Sequence, residues 1–560
     1  MCILSSLIKA ALPPTVQDVD VSVVPSAQPE WGDLSCAVAL GLARRLKKSP
    51  QVIAQDICSS LYGHPMIARA CAVGGYVNIT LHDHVWHDTL RTILKKGTYY
   101  GHHSFGQGIR VNVEYVSANP TGPLHAAHAR GAILGDVLSN LLASVGYDVA
   151  REYYINDAGQ QISILGQTVL CHCQAIEQKT TAIITEGLYP GDYVRDIAEQ
   201  LMGHCPDYKA LSFDLVCRFA TNVLLEQIQE DLASMHLYHD ILTSERAVQR
   251  AGLMEKMLSV LQEKGLIYEG TLPLPKSTKG TVRTSKKLLL FRSSALGDDQ
   301  DCALKNGHGD WTYFAGDLAY HWDKVQRGYD VMIDVWGADH ASHVKRMKIA
   351  LQSLSGKSVD VNVVQMVHFF QGGKPLKMSK RAGTFVTLRD VLTMIDPDVL
   401  RFMMLTKKSD THLQLDIAQM KEQSKNNPIF YIQYAYARCC SILRHAVDHF
   451  GPEKITPQQL DKAPFQRLTD LSVVKVLSDW PRQVQEAASS REPHRLTTYL
   501  YHAAQSFHSL WQKGKQDEGH RFIQEKDPDA SLALVALAQC VQYVIGSGLG
   551  ILGIKPRTEL

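Results

Sequence analysis

Apolar residues recur at Ile109, Val111, Val113 and Tyr115, every second position, which is the period of a buried strand. A turn-forming run, Asn119-Pro-Thr-Gly-Pro123, interrupts the alternation. From His125 to Val145 the spacing turns helical, with Leu134, Leu138, Leu141 and Leu142 on one side and Gly146 where a C-cap falls. The pattern thus predicts strand, tight turn and helix, with His125 and His128 on the helix's first turn. An extended run at Val149–Ile155 and a helix through Gly166 follow. Strands are expected again at Leu288–Phe291, Asp330–Trp336 and Val359–Val367, with a helix at Ser342–Leu354. Such alternation over about 109–390 predicts a parallel sheet of the dinucleotide-binding type. Residues of about 180–285 break it; helices at Phe213–Ser234 and Ala247–Lys264 read as an insertion dividing the sheet into halves.

The flanks have other patterns. Residues 1–105 mix elements on a small scale. Asp33–Lys48 reads as a helix ending in Arg44, Arg45, Lys47 and Lys48, and Ser49-Pro50 starts another that runs to Leu61. Gly75–Leu81 alternates as a strand, and the glycine-rich run from Gly101 to Gly108 reads as a linker. From 395 to 560 the pattern is helical, with tyrosines clustered in Asn427–Arg438. The expected architecture is multidomain α/β: a small α+β N-terminal domain, a Rossmann-like catalytic domain over 109–390, and an all-α C-terminal domain.

Composition adds bounds. A length of 560 residues suits three or four domains, and 45% hydrophobic with 20% charged residues describes an ordinary globular chain. No apolar run in the sequence approaches the ~20 residues that span a bilayer. Met1–Lys9 lacks the charged start of a signal peptide and reads as the beginning of a helix, so the expectation is a cytoplasmic protein with no membrane partner. Twelve cysteines lack paired spacing, and Cys171-His-Cys173 has no second ligand pair, so no structural metal is expected. A net charge of +2 neither demands nor excludes a nucleic-acid partner.

Two histidines at a helix N-terminus suit an anion, because unpaired N–H groups there carry partial positive charge. By themselves they read equally well as half-exposed helix residues. Lys377-Met-Ser-Lys380 lies within Gly372-Gly-Lys-Pro-Leu-Lys-Met-Ser-Lys-Arg-Ala-Gly383, a basic loop able to close over phosphate; alone, it is an ordinary solvated turn.

Together the two motifs resemble the paired signatures of class I aminoacyl-tRNA synthetases. The runs around them narrow the resemblance to the bacterial-type arginyl-tRNA synthetases: Glu114-Tyr-Val-Ser-Ala-Asn-Pro-Thr-Gly-Pro-Leu-His125, His128-Ala-Arg-Gly-Ala132, Tyr154-Ile-Asn-Asp-Ala-Gly159, Tyr313-Phe-Ala-Gly-Asp317 and Trp336-Gly-Ala-Asp-His340. The resemblance runs from about residue 20 to the C-terminus. It implies ligation of L-arginine to tRNA(Arg) through an arginyl-adenylate made from ATP, with Mg2+ accompanying the nucleotide and a monomer as the family default. It further implies that His125, His128, Lys377 and Lys380 are catalytic and that Gly337, Asp339, His340, Met378 and Ser379 join them around ATP. Arginine would be held by Asp317, with Glu114 as second carboxylate, Tyr313, and Asn119 at the amino-acid end. A carboxylate pair suits the planar guanidinium fork; without the resemblance, Asp317 reads as a helix N-cap. For tRNA, the resemblance points to Arg44, Arg45, Lys47 and Lys48 at the elbow, and to Tyr431, Gln433 and Tyr434 at the anticodon. The basic run Lys276–Lys287 reads first as a solvated loop and second as an acceptor-stem contact.

One residue departs from the family pattern: Ala127 stands where a glycine precedes the second histidine. Its Cβ is expected to crowd adenine and weaken ATP binding. Two alternatives therefore stay open, a synthetase-like RNA-binding protein without activation chemistry and another class I enzyme.

Overall fold

The computed structural model describes residues 2–272, 287–375 and 386–560. At the N-terminus, α1 (Cys2–Ala10) precedes an antiparallel sheet of β1 (Val24–Pro25) and β2 (Leu34–Cys36), followed by α2 (Val38–Leu46), α3 (Pro50–Leu61), β3 (Ile67–Val73), β4 (Tyr76–Leu81) and α4 (Asp83–Lys96). The strand order is β1–β2–β4–β3. The helix expected from Asp33 starts later. Asp33 accepts the Leu81 N–H at 2.8 Å and pairs with Lys475 at 2.6 Å, so Leu34–Cys36 is drawn into the sheet. Ser49 caps α3 as expected, accepting the Val52 N–H.

The central unit begins with β5 (Arg110–Glu114), α5 (His128–Ser144), β6 (Asp148–Ile155), α6 (Gln160–Glu177), α7 (Tyr193–His204), α8 (Phe213–Ala233) and β7 (Ile241–Ser244). Next come α9 (Glu245–Arg250), α10 (Leu253–Glu263), β8 (Ile267–Gly270), β9 (Leu288–Phe291), β10 (Cys302–Lys305), α11 (Tyr313–Gln326), β11 (Val331–Gly337), α12 (Ala341–Ser355) and β12 (Val359–Val364). Strands β12–β11–β5–β6–β7 form one parallel sheet in that order. Three sequence expectations need correction here. Strand β7 lies inside the span read as an insertion yet belongs to the main sheet. Leu288–Phe291 does not resume that sheet; β9 pairs antiparallel with β8 and β10. The helix expected over Ala247–Lys264 breaks at Gly252, which adopts φ +65°. Short apolar runs carry no information about which sheet they join, and that accounts for the first two errors.

Helix α5 begins at His128, so His125 precedes it instead of sharing its first turn. Of its 17 residues, 13 are buried, which makes it a central helix enclosed all round and not the one-sided helix that its leucines suggest. Its packing is close: a Cβ at Gly135 would stand 2.2 Å from the ring of Tyr115.

The extended run expected to Val367 ends at Val364. Val367–Gln371 is a separate strand, β13, between β14 (Lys374–Pro375) and β15 (Leu413–Asp416). Helices α13 (Leu388–Met394), α14 (Pro397–Met404) and α15 (Ile417–Met420) lead to the C-terminal bundle of α16 (Pro428–Phe450), α17 (Pro457–Leu460), α18 (Ser472–Ser478), α19 (Trp480–Ser490), α20 (His494–Gln516) and α21 (Pro528–Ile551). Helix α21 is long and apolar enough to cross a membrane, with a mean hydropathy of 1.7, which revises the sequence reading. It is nevertheless core: 78% of that stretch is buried, against α16, α20 and α4. The bundle is locked to the central unit by Arg401, whose guanidinium pairs with Asp136 of α5 and donates to the carbonyls of Met235 and Leu552.

Candidate active site

A cleft of about 900 Å³ opens at the carboxyl ends of β5, β6 and β11. The chain leaves β5 for β6 on one side and β11 lies on the other, which is the switch point where open parallel sheets bind ligands.

One wall follows β5. Val116 and Ser117 hold φ of +69° and +39°, conformations that cost a non-glycine residue about 1–3 kcal/mol and gather at functional sites. The turn is fastened by Ser117, whose hydroxyl donates to Glu114 Oε1 at 2.9 Å and accepts the Tyr154 N–H at 3.0 Å. Asn119 lines the cleft and donates to Gln161 at 2.8 Å. His125 and His128 stack with ring centroids 4.5 Å apart. The His125 N–H donates to His128 Nδ1 at 3.1 Å, which leaves Nε2–H as the donor of a neutral His128 ring. Ala126 N–H donates to the Val386 carbonyl and Leu388 N–H to that of Leu124, so the segment following the lysine motif is tied to the histidines. Lys377, Met378, Ser379 and Lys380 themselves lie outside the described residues, as does the basic run apart from Lys287.

Ala127 sits at φ −65° and ψ −28°, ordinary helical values that need no glycine. It is not among the described residues lining the cleft. The geometry therefore gives no basis for the steric penalty expected from its methyl group.

Helix α11 supplies the opposite wall. Thr312 is its N-cap, accepting the Ala315 N–H, so Asp317 lies in the second turn and the capping alternative falls. Asp317 lines the cleft and is open to solvent there. Partial loss of hydration beside the protein wall pushes its carboxyl up to about 6; His321 and His340 oppose the rise, while Glu114 and Asp334 reinforce it. Tyr313, one turn earlier, stands 65% exposed at the mouth. Glu245, the first residue of α9, adds a carboxylate that sequence reasoning missed. One of its oxygens accepts from Gln249 at 3.2 Å; the other is buried without a partner among the described residues. Burial, then Asp317 and Asp157, push it up to about 7. An acidic residue after Ser244 looks like any helix start, so nothing in the sequence marked it.

Glu114 behaves differently from the second guanidinium acceptor expected. It lines the cleft, but its Oε2 already receives Lys324 Nζ at 2.6 Å. Glu152, Glu114 and Asp334 stand side by side in register on three adjacent strands. Lys324 bridges Glu114 and Asp334, and Arg327 grips Glu152 with bonds of 3.0 and 2.8 Å. The Glu114, His321 and Asp334 donor atoms lie within 4.8 Å of one another, a spacing that could suit a metal ion. The ammonium of Lys324 and the imidazole of His321 already take those carboxylates, so the set does not fit a metal.

Gly337 closes β11, and Asp339 and His340 follow it into the cleft, 3.5 Å apart and largely exposed. A wall from the inserted segment, Tyr189–Tyr193, was also not foreseen; Tyr193 donates its hydroxyl to the Thr121 carbonyl at 2.7 Å.

The distant basic and aromatic candidates divide. Arg44 and Lys47 are exposed, whereas Arg45 pairs with Asp18 at 2.8 Å and Lys48 with Asp56 at 2.9 Å. Tyr434 is 37% exposed beneath the Arg438 guanidinium, and Tyr431 packs on Tyr501 and His508. Gln433 is buried. It donates to the Lys555 carbonyl and accepts the Arg557 N–H, fastening the C-terminal segment, so its side chain cannot also face RNA.

Comparison with known proteins decides what this cleft belongs to. Arginine–tRNA ligases of Parvibaculum lavamentivorans and Paracoccus denitrificans are 42% and 43% identical to the chain, cover 99% and 98% of it, and are themselves covered over 96% of their length. The chain belongs to the arginyl-tRNA synthetase family. The model of the arginyl-tRNA synthetase N-terminal domain matches residues 2–81, that of the class I (R) catalytic domain 89–185, and that of the DALR anticodon-binding domain 432–560. A class I (K) model matches 279–427, across the lysine motif. The arginyl-tRNA synthetase of Thermus thermophilus shares the fold over 100% of both chains, with a TM-score of 0.75 at 21% identity. That of Plasmodium falciparum does so with a TM-score of 0.71 at 14% identity, over 100% of this chain and 99% of its own.

Proposed function

We propose that the protein joins L-arginine to the 3′ end of tRNA(Arg) in two steps at this cleft. The arginine carboxylate attacks the α-phosphorus of ATP, and pyrophosphate leaves. The terminal adenosine hydroxyl of tRNA then attacks the arginyl carbonyl, and AMP leaves. One observation carries the reading: a carboxylate of raised proton affinity, Asp317, lines the same cleft as the stacked histidines that follow the strained turn.

Asp317 takes the guanidinium, and Glu245 behind it adds negative potential, since an unpartnered buried oxygen favours an approaching cation. Lysine, a point charge without a fork, forfeits the paired bonds. Asn119 holds the amino-acid end. His128 donates from Nε2 to phosphate oxygens, its Nδ1 being held by the His125 backbone N–H, and the His125 ring stacks against it. Lys377 and Lys380 stabilise the leaving pyrophosphate, the part of the reaction where charge builds up most. Gly337, Asp339 and His340 border the nucleotide. Magnesium arrives on the phosphates of ATP; the buried carboxylates are committed to Lys324, and no step here depends on a protein-held ion.

The N-terminal unit, with exposed Arg44 and Lys47, meets the tRNA elbow. The C-terminal bundle meets the anticodon through the face bearing Tyr431 and Tyr434. The enzyme acts as a cytoplasmic monomer. Ala127 was the sole support for an inactive RNA-binding protein, while the arginine–tRNA ligase relatives over nearly the full length favour the active reading.

The test is ATP–pyrophosphate exchange with each of the twenty amino acids, with and without tRNA. Exchange with arginine alone, appearing when tRNA is added, is the expected result. Exchange with another amino acid would overturn the role of Asp317, and no exchange beside intact tRNA binding would restore the inactive reading.

A further inference from the structure

Beneath the cleft runs an unbroken chain of hydrogen bonds between its two walls. It starts at Ser117, in the strained turn that leads to Asn119, whose hydroxyl donates to Glu114 at 2.9 Å. Glu114 accepts from Lys324 at 2.6 Å, and Lys324 donates onward to Asp334 at 3.1 Å. The other Asp334 oxygen meets His321 Nε2 at 2.6 Å, and His321 Nδ1 meets the backbone carbonyl of Asp317 at 2.7 Å. Both nitrogens of His321 face groups that only accept, so the ring carries both protons and a positive charge. Two carboxylates and two cations thus close on themselves. Lys324 and Asp334 are fully buried, and Glu114 and His321 are 6% and 3% exposed. Water has little access to loosen the chain, and Asp317 is left outside it as an uncommitted acceptor.

We propose that the chain Ser117–Glu114–Lys324–Asp334–His321 is a positioning device that fixes the distance between Asn119 and Asp317, and thereby selects the length of the amino-acid side chain. This rests on the reading that these two residues hold the opposite ends of arginine. A substrate fastened by polar groups at both ends tolerates a misfit of one methylene only if one end can shift. Here each end is tied through buried charges to the same two strands, β5 through Glu114 and β11 through Asp334. None of the linking residues needs to touch substrate, so they act through Asn119 and Asp317 and not on the reacting atoms. A hydrophobic pocket distinguishes one methylene by roughly 10- to 200-fold; tied polar ends add to that discrimination by denying the misfit substrate one of its two anchors.

The experiment measures kcat/KM in tRNA-dependent pyrophosphate exchange for arginine and for its analogues with one methylene more and one fewer. Ser117→Ala cuts the first link, and His321→Leu removes the last without leaving a void. His321→Gln keeps an N–H close to the position of Nε2. The preference for arginine over both analogues is expected to fall about fivefold in Ser117→Ala and tenfold or more in His321→Leu, with His321→Gln recovering most of it. If Ser117→Ala and His321→Leu both keep the preference within twofold, the chain is scaffold only and the proposal fails. Should His321→Leu not fold, Ser117→Ala decides alone. Asp317→Asn separates the premises: an unchanged KM for arginine would sink the substrate reading itself, whereas a large rise beside an intact length preference would sink only the length device.

Discussion

Replacing Asp317 by asparagine removes one charge and almost no volume. The carboxyl stands among Glu114, Asp334 and Glu245, and its proton affinity is already raised to about 6 by desolvation. A guanidinium seated against this carboxylate would shield it from water, and a charge-assisted pair is strong where water is excluded. Removing one member of such a pair costs about 3–5 kcal/mol, or roughly two to three and a half powers of ten in kcat/KM. Most of the loss should fall on the KM for arginine, with the KM for ATP little changed. The same carboxyl dictates a pH profile. Protonated, it cannot pair with arginine, so kcat/KM should rise through about pH 6 and level above pH 7, once Glu245 has also ionised. Stability runs the opposite way. A carboxyl whose folded pKa lies above its unfolded value favours folding at low pH and opposes it as pH rises through about 6, so Asp317→Asn should melt higher than the native protein at pH 7. Exchange assays from pH 5 to 8, beside thermal melts, check both effects. A variant with undiminished arginine use, or with the acid limb intact, would refute the assignment.

Ala127→Gly should leave the KM for ATP within about twofold, because the residue already has helical backbone angles; a tenfold gain in ATP affinity would show that the methyl does crowd the nucleotide. Changing Lys377 or Lys380 to alanine should lower kcat by about 10²–10³, the usual cost of one transition-state donor, with arginine affinity retained in equilibrium binding. Asp334 is held down at about 2, against the cost of its burial, by Lys324 and His321. Its folded pKa lies below the unfolded one, so its contribution is complete above about pH 4 and is lost as pH falls toward 2. Melting temperature should therefore drop steeply over that window, and Lys324→Met should flatten the drop.

Several candidate residues come together because they sit in short runs: the turn from Asn119, His128 and the Tyr313–Asp317 segment line one cleft, whereas His125 lies before the helix and not on its first turn. What escaped depended on distance. Tyr193 reaches the cleft, and Glu245 reaches the ground behind Asp317, from segments that carry no motif, and only tertiary packing brings them there. Glu114 was recognised as a carboxylate in the right place but not as one already occupied, because Lys324 lies 210 residues away. Gln433 failed for the same reason, its amide being spent on the C-terminal segment. Element errors had a local cause: Leu34–Cys36 is too short for its pattern to part strand from helix, and Leu288–Phe291 too short to say which sheet it joins.

The burial of α21 has a consequence for how the protein is made. Its apolar surface is covered in part by α4, and Cys540 of the one contacts the Leu90 carbonyl of the other across 450 residues of chain. At about 5–20 residues per second, translation separates these two helices by roughly 20 to 90 s. Through that interval the N-terminal unit waits on the ribosome with one side of α4 bare. When α21 emerges, it is a membrane-like stretch that must find its place before a targeting factor or a neighbouring chain does. Chains cut short before α21 would leave both surfaces uncovered, and so the helix that completes the anticodon-side bundle also serves as the molecule's check that synthesis has run past it.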